Sequence, residues 1–155
     1  MQRNTNIITT LVLIVLAATL LSGCFEQYQI TRTPAGALNN FLLHLQAGQI
    51  EDAKAYFAPG LVTPTPDMEA RLREASERLR QYEIKRTTRN TVELGGGEVQ
   101  TTISGRVRPR TPPGQPTPGP DEGWQDTDII TARMVFRGPG YRILDFELKC
   151  CPKRQ

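Results

Sequence analysis

The 155-residue sequence is poor in the residues that build most reactive centres, with one histidine, three cysteines and one tryptophan. The lone histidine, His44, excludes any site made of two imidazoles and leaves one candidate for imidazole acid–base chemistry. Three cysteines, two of them adjacent at Cys150 and Cys151, cannot supply a four-cysteine zinc set, and one histidine does not complete a mixed set. No G-x-S-x-G nucleophile elbow occurs. Gly95-Gly96-Gly97 lacks the lysine and following helix of a phosphate-binding loop and reads as a hairpin turn. No strong charge of either sign is present, with 19 Lys and Arg against 16 Asp and Glu. Basic residues are not interleaved with aromatics along a stripe, so nucleic acid is not an expected partner. These absences together mark no catalytic set, no metal site and no cofactor.

What is present begins at the amino terminus. Met1 to Asn6 is short and polar, with Arg3 its only charged side chain. Ile7 to Leu21 is almost wholly apolar. Fifteen residues as a helix span roughly 22 Å, short of the about 20 residues that a stable membrane crossing needs. That is the length of a signal-peptide core. The run ends Leu21-Ser22-Gly23-Cys24, which resembles the lipobox of bacterial lipoproteins. Small residues allow an extended chain in a peptidase cleft, and the cysteine sulfur accepts diacylglycerol. The resemblance implies cleavage between Gly23 and Cys24 and membrane anchoring through acylated Cys24. The expected location is the cell envelope, on the extracytoplasmic side of a membrane. Two or three acyl chains hold stably where one binds marginally, at about 0.8 kcal/mol per buried CH₂.

Removing residues 1–23 leaves 132 residues with a net charge of +2 and 16 acidic residues unchanged. That length suits one domain able to bury a core without staples. Residues 24–32 read as a tether and 33–149 as the domain. Residues 150–155 read as a basic tail carrying Lys153 and Arg154. Adjacent Cα atoms sit about 3.8 Å apart, below the roughly 4.4–6.8 Å usual for a disulfide. Cys150 and Cys151 are therefore expected to be unpaired or intermolecular.

Within the domain, Thr33-Pro34 predicts a helix start. Leu38, Phe41, Leu42 and Leu45 follow on one face, and Gly48 stops the helix. Ile50 to Phe57 reads as a second short helix ended by Pro59-Gly60. Thr65-Pro66 opens a third, with Met68, Leu72, Ala75 and Leu79 inward. Its other face carries Glu69–Arg73 and Glu74–Arg78, i, i+4 pairs that suit a solvated surface. The period then changes to two. Tyr82 to Leu94 reads as a strand with a break near Arg89-Asn90. Val99, Thr101, Ile103, Gly105 and Val107 alternate, as do Ile130, Ala132, Met134 and Phe136 within Asp126 to Arg137. Tyr141 to Lys149 is the last strand. Helices first and two hairpins after predict an α+β fold, three helices packed on a four-stranded antiparallel sheet. Between the hairpins, six prolines fall among the twelve residues Pro109 to Pro120. This stretch, continuing to residue 125, reads as a stiff loop outside the sheet.

This order resembles the nuclear transport factor 2-like, cystatin-type cone. Thr33 to Gly48 is similar to the opening helix of small lipoprotein domains of that superfamily. Gly140-Tyr141-Arg142-Ile143-Leu144-Asp145-Phe146-Glu147 is similar to their final strand. The resemblance implies a curved sheet wrapping the first helix around a cone-shaped pocket; the Pro-rich loop departs from it. The superfamily includes enzymes, ligand binders and assembly domains, so fold alone does not decide function. The leading expectation is a non-catalytic, membrane-anchored domain that binds a small apolar ligand or an envelope protein. A small hydrolase or isomerase would use His44 with a strand carboxylate, Asp128 or Asp145. An assembly subunit would dock through P-x-x-P spacings such as Pro109/Pro112 and Pro113/Pro116.

Overall fold

The computed structural model describes residues 32–60, 62 and 65–153. The leader, Gly23 and Cys24 lie outside them. Among the described residues the fold is α+β, as the order of patterns predicts: three helices precede an open four-stranded antiparallel sheet.

Helix α1 spans Pro34–Ala47. Thr33 is its N-cap, its hydroxyl accepting from Gly36 N at 3.1 Å, with proline at the first position. Gly48 closes it at φ 77°, a left-handed conformation that glycine adopts without steric cost. Helix α2, Ile50–Lys54, is shorter than Ile50 to Phe57. Phe57 instead forms a parallel bridge with Ile143. The bridge draws the chain out of the helical path: Ile143 N donates to Tyr56 O at 2.8 Å and Ala58 N to Ile143 O at 3.0 Å. Helix α3, Pro66–Arg80, repeats the threonine-proline start, with Thr65 Oγ1 accepting from Met68 N at 3.2 Å. Ser76 Oγ donates to Leu45 O at 2.7 Å and ties α3 to the end of α1.

The strands run β1 Tyr82–Gly95, β2 Glu98–Pro109, β3 Gln125–Arg137 and β4 Gly140–Leu148, each paired with the next. Alternation puts Val99, Thr101, Ile103 and Val107 of β2 on the helix-covered inner face. Opposite them stand Met134, Ala132, Ile130 and Gln125 of β3. The inner face meets Leu38, Phe41 and Leu45 of α1 and Leu72 and Leu79 of α3, each 0% exposed. Phe41 is the aromatic centre, with ring centroids 5.2 Å from Phe146, 5.8 Å from Phe57 and 6.3 Å from Tyr56.

The break expected in β1 near Arg89-Asn90 falls earlier, between Lys85 and Thr88. Arg86 there has φ 49°. Gly105 lies beneath this bulge. A Cβ on it would meet Lys85 O at 3.0 Å and Ile129 Cδ1 at 3.1 Å, so the strand needs glycine to let β1 approach. Further register shifts occur in β2–β3 and β3–β4. Bulges of this kind bend strands and raise their twist.

The Pro-rich connection stays outside the sheet except at its two ends, which the expected loop included: Pro109 closes β2 opposite Tyr82, and Gln125 opens β3 opposite Val107. It is pinned where it rejoins: Arg108 donates from Nε to Glu83 at 2.8 Å and from Nη1 to Gly119 O at 3.1 Å. Trp124 carries Lys85 and Arg108 over its ring at 4.5 and 4.7 Å. Two cations on one aromatic face or edge hold the loop end against the outer face of the sheet.

Candidate functional site

The carboxy-terminal segment does not trail into solvent directly after β4. Lys149 N donates to Ile129 O at 2.9 Å, which turns the chain back toward α3. There Arg78 donates from Nε to Cys151 O at 2.7 Å and from Nη2 to Cys150 O at 2.8 Å. Tyr82 Oη donates to Pro152 O at 3.1 Å. Three successive carbonyls are thus captured by two side chains of the α3–β1 corner. Bonds from a guanidinium are charge-assisted and among the stronger kinds.

This arrangement corrects two expectations. The i, i+4 spacing pairs Arg78 with Glu74 on a solvated helix face. It lies 3.9 Å from Glu74, but its side chain is only 23% exposed and serves the tail. Cys150 and Cys151 are bonded to each other as a vicinal disulfide, with Cα atoms 3.7 Å apart. Residue spacing alone disfavours such a bond; here Cys151 takes φ 65°, a left-handed conformation costing a side-chain-bearing residue about 1–2 kcal/mol. The disulfide ring and the captured carbonyls hold it there together. Both cysteines are buried, at 5% and 2% exposure. As a chain staple the bond contributes little. A loop of two residues removes only about 1 kcal/mol of unfolded-state entropy.

The turned-back tail walls a cavity of about 410 Å³ at this end of the inner face. Tyr82, Val107 and Pro109 form an apolar side, and Cys150, Cys151 and Pro152 face them. Gln125 and Thr127 of β3 and the Lys149 ammonium add polar groups. The Lys149 Nζ lies 2.5 Å from Glu147. Volume and lining fall in the range of small-molecule sites, which are mostly apolar with a few placed polar groups. Two other hollows are less suited. One of about 180 Å³ lies between α3 and β4 around Arg71, Ala75 and Phe146. One of about 530 Å³ beside Phe57 and Arg142 is bounded by the Pro59–Val62 loop, part of which lies outside the described residues.

The acid–base candidates are elsewhere and apart. His44 Nδ1 lies 2.8 Å from Gln49 Oε1, so the ring nitrogen donates across the turn after α1. Its nearest acid is Asp52 at 3.9 Å, itself 61% exposed. Asp128 is exposed and accepts from Ser104 Oγ at 2.6 Å. Asp145 is exposed and pairs with Arg71 at 3.1 Å. No hydrogen bond or ion pair among the described residues joins His44 to either aspartate, and none of the three lines the tail cavity. The expected Glu69–Arg73 pair does form, at 2.6 Å. Lys54 reaches Glu69 as well, at 2.8 Å, and these two cations hold the Glu69 carboxyl down at about 2. Burial pushes the Tyr56 phenol above its ordinary range. Among the described residues no group of three metal-ligating side chains occurs. No described helix is long and apolar enough to cross a membrane, and Ile7 to Leu21 lies outside that description.

The cavity residues were not singled out in the sequence as a site. Tyr82 and Val107 read as strand core, and Arg78 as helix surface. The adjacent cysteines were the one visible signal. Comparison with protein-family models finds no match, and comparison with curated proteins finds no relative.

Proposed function

We propose that the chain is an extracytoplasmic lipoprotein, anchored through acylated Cys24, whose nuclear transport factor 2-like domain binds a small, mainly apolar ligand. The cavity of about 410 Å³ between the sheet's inner face and the turned-back tail is the observation that carries this reading. Its apolar walls would take the ligand body, and Thr127, Gln125 and Lys149 would meet one acceptor or anionic group at its rim. The anchoring half rests on the Leu21-Ser22-Gly23-Cys24 sequence behind an apolar leader. A tether of residues 24–32 would then present the domain beside the membrane.

Native mass spectrometry of the full chain, purified in detergent from its host, tests the ligand. A retained small molecule, lost in Val107→Trp, is the expected result. A ligand-free mass for the wild type, or a ligand retained equally by Val107→Trp, would overturn the assignment to this cavity. Labelled fatty acid tests the anchor: it should enter the wild type and not Cys24→Ser, and equal labelling would end that half of the reading.

A further inference from the structure

We propose that Cys150–Cys151 is a thiol–disulfide exchange site whose redox state latches or releases the carboxy-terminal tail. Four observations converge on it. The bond joins neighbouring residues, so it constrains almost nothing beyond its own ring. Both cysteines are shielded by the protein yet line an open cavity, which gives a small thiol reagent one route to the sulfurs. Two cationic side chains, Arg78 and Lys149, line the same cavity, and positive charge favours a departing thiolate. Finally, the carbonyls of both cysteines are the ones Arg78 holds, and Cys151 keeps φ 65° while they are held.

The exchange balances as follows. One thiolate of an external dithiol attacks a sulfur of the pair, and the other cysteine leaves as a thiolate beside the cations. The second thiol of the reagent then attacks the mixed disulfide. The protein gains two electrons and two protons as Cys150 and Cys151 become thiols, and the reagent leaves as its own disulfide. Once the ring is open, Cys151 is free to return to an extended backbone conformation, favoured for any residue with a side chain. That rotation turns its carbonyl away from Arg78 Nε and takes Pro152 with it from Tyr82. The oxidised form therefore keeps the cavity wall in place, and the reduced form opens it. This goes beyond the ligand reading and is independent of it, because tail release is read with no ligand added.

The test uses the full chain in detergent: untreated, treated with dithiothreitol, and as the Cys150→Ser, Cys151→Ser double variant. Iodoacetamide applied under native conditions should leave the two cysteines of the tail peptide unmodified in the untreated protein and modify both after dithiothreitol. Amide exchange at Lys149 and Cys150, whose N–H groups bond Ile129 O, should rise by about tenfold or more on reduction and in the double variant, the scale expected for loss of local protection. Exchange in β2 and β3 should stay unchanged. Alkylation of the tail cysteines without reductant would overturn the bond. Equal tail exchange in oxidised and reduced protein would overturn the latch. A rise that includes β2 and β3 would show a staple of the whole fold, and would also overturn it.

Discussion

The sheet has two edges, and they are built differently. On β4 buried residues recur along the strand at Gly140, Ile143 and Phe146, with a register shift between Ile143 and Asp145, and Ile143 is fully buried and Phe146 5% exposed. Its outer backbone groups are taken by Tyr56 and Ala58, and Arg71 donates to Phe146 O at 2.7 Å. On β1 every residue from Lys85 to Gly95 is exposed, although it pairs with β2 along nearly its whole length. Both strands pair along most of their length on their sheet side, each with register shifts. Ladder pairing alone therefore does not make a strand part of the core. Helices α1 and α3 and the 56–58 bridge cover one edge, and the other is largely open, touched where Arg89 reaches Asn39 of α1 and Lys85 lies over Trp124. Lys85, Arg86, Arg89 and Glu93 on that edge discourage pairing with another chain.

The largest test of this contrast compares one truncation on each edge. Phe146→Ala, which empties a site between Phe41, Phe57 and the Arg71 guanidinium, should cost about 3–5 kcal/mol in urea unfolding. Val92→Ala, 51% exposed on β1, should stay within about 0.5 kcal/mol. Similar costs for both would erase the distinction. Next, Gly105→Val should destabilise by about 1–3 kcal/mol, because its side chain must displace the Lys85 carbonyl and Ile129. A thermal midpoint unchanged by that substitution would mean β1 yields freely at its bulge. Arg71→Met removes the guanidinium that lies over the Phe146 ring and bonds its carbonyl and Asp145, and a cost of about 1 kcal/mol is expected. Amide exchange sharpens the same point, with Ile143 N, bonded to Tyr56 O at 2.8 Å, exchanging more slowly than the β1 edge.

The smallest effect is electrostatic. The Glu69 carboxyl lies at about 2 rather than its ordinary 4.5, through Lys54 first and Arg73 second. A carboxyl depressed on folding stabilises the fold above its ordinary value, and that stabilisation is lost as the pH falls toward the folded value. Stability should therefore decline from about pH 4.5 toward 2, with a shallower decline in Glu69→Gln. The group is solvent-facing, so the difference between the two curves is small. Identical curves would remove Glu69 from the acid response.

Much of the fold was legible because its signals are local. Thr33-Pro34, Gly48 and Thr65-Pro66 mark helix ends through groups within a turn of each other. The alternation of Val99 to Val107 announces a strand half-covered by something else. The expected end of the second helix at Phe57 failed for a non-local reason, since Ile143, far along the sequence, draws the chain out of the helical path. The displaced bulge in β1 has the same origin, because Gly105 on the neighbouring strand opens space at Lys85 and Thr87. Of the site candidates, His44 stands half-buried at the end of α1, bonded to Gln49 across the turn. The Glu74–Arg78 pair is visible as an i, i+4 spacing and forms at 3.9 Å, whereas the bond from Arg78 to a carbonyl 73 residues away has no local signal.

By itself the sequence determined the order and type of the elements, the inward faces of α1 and α3, and the expectation of an anchored chain ending its leader at Cys24. Periodicity and capping act over one or two turns, so they can be read along the chain. Only the tertiary structure decided where the tail goes, that Cys150 and Cys151 bond to each other, and that a cavity forms between Tyr82, Val107 and Pro152. Those outcomes depend on Arg78 reaching the carbonyls of a segment placed by β4, a meeting that no local preference encodes.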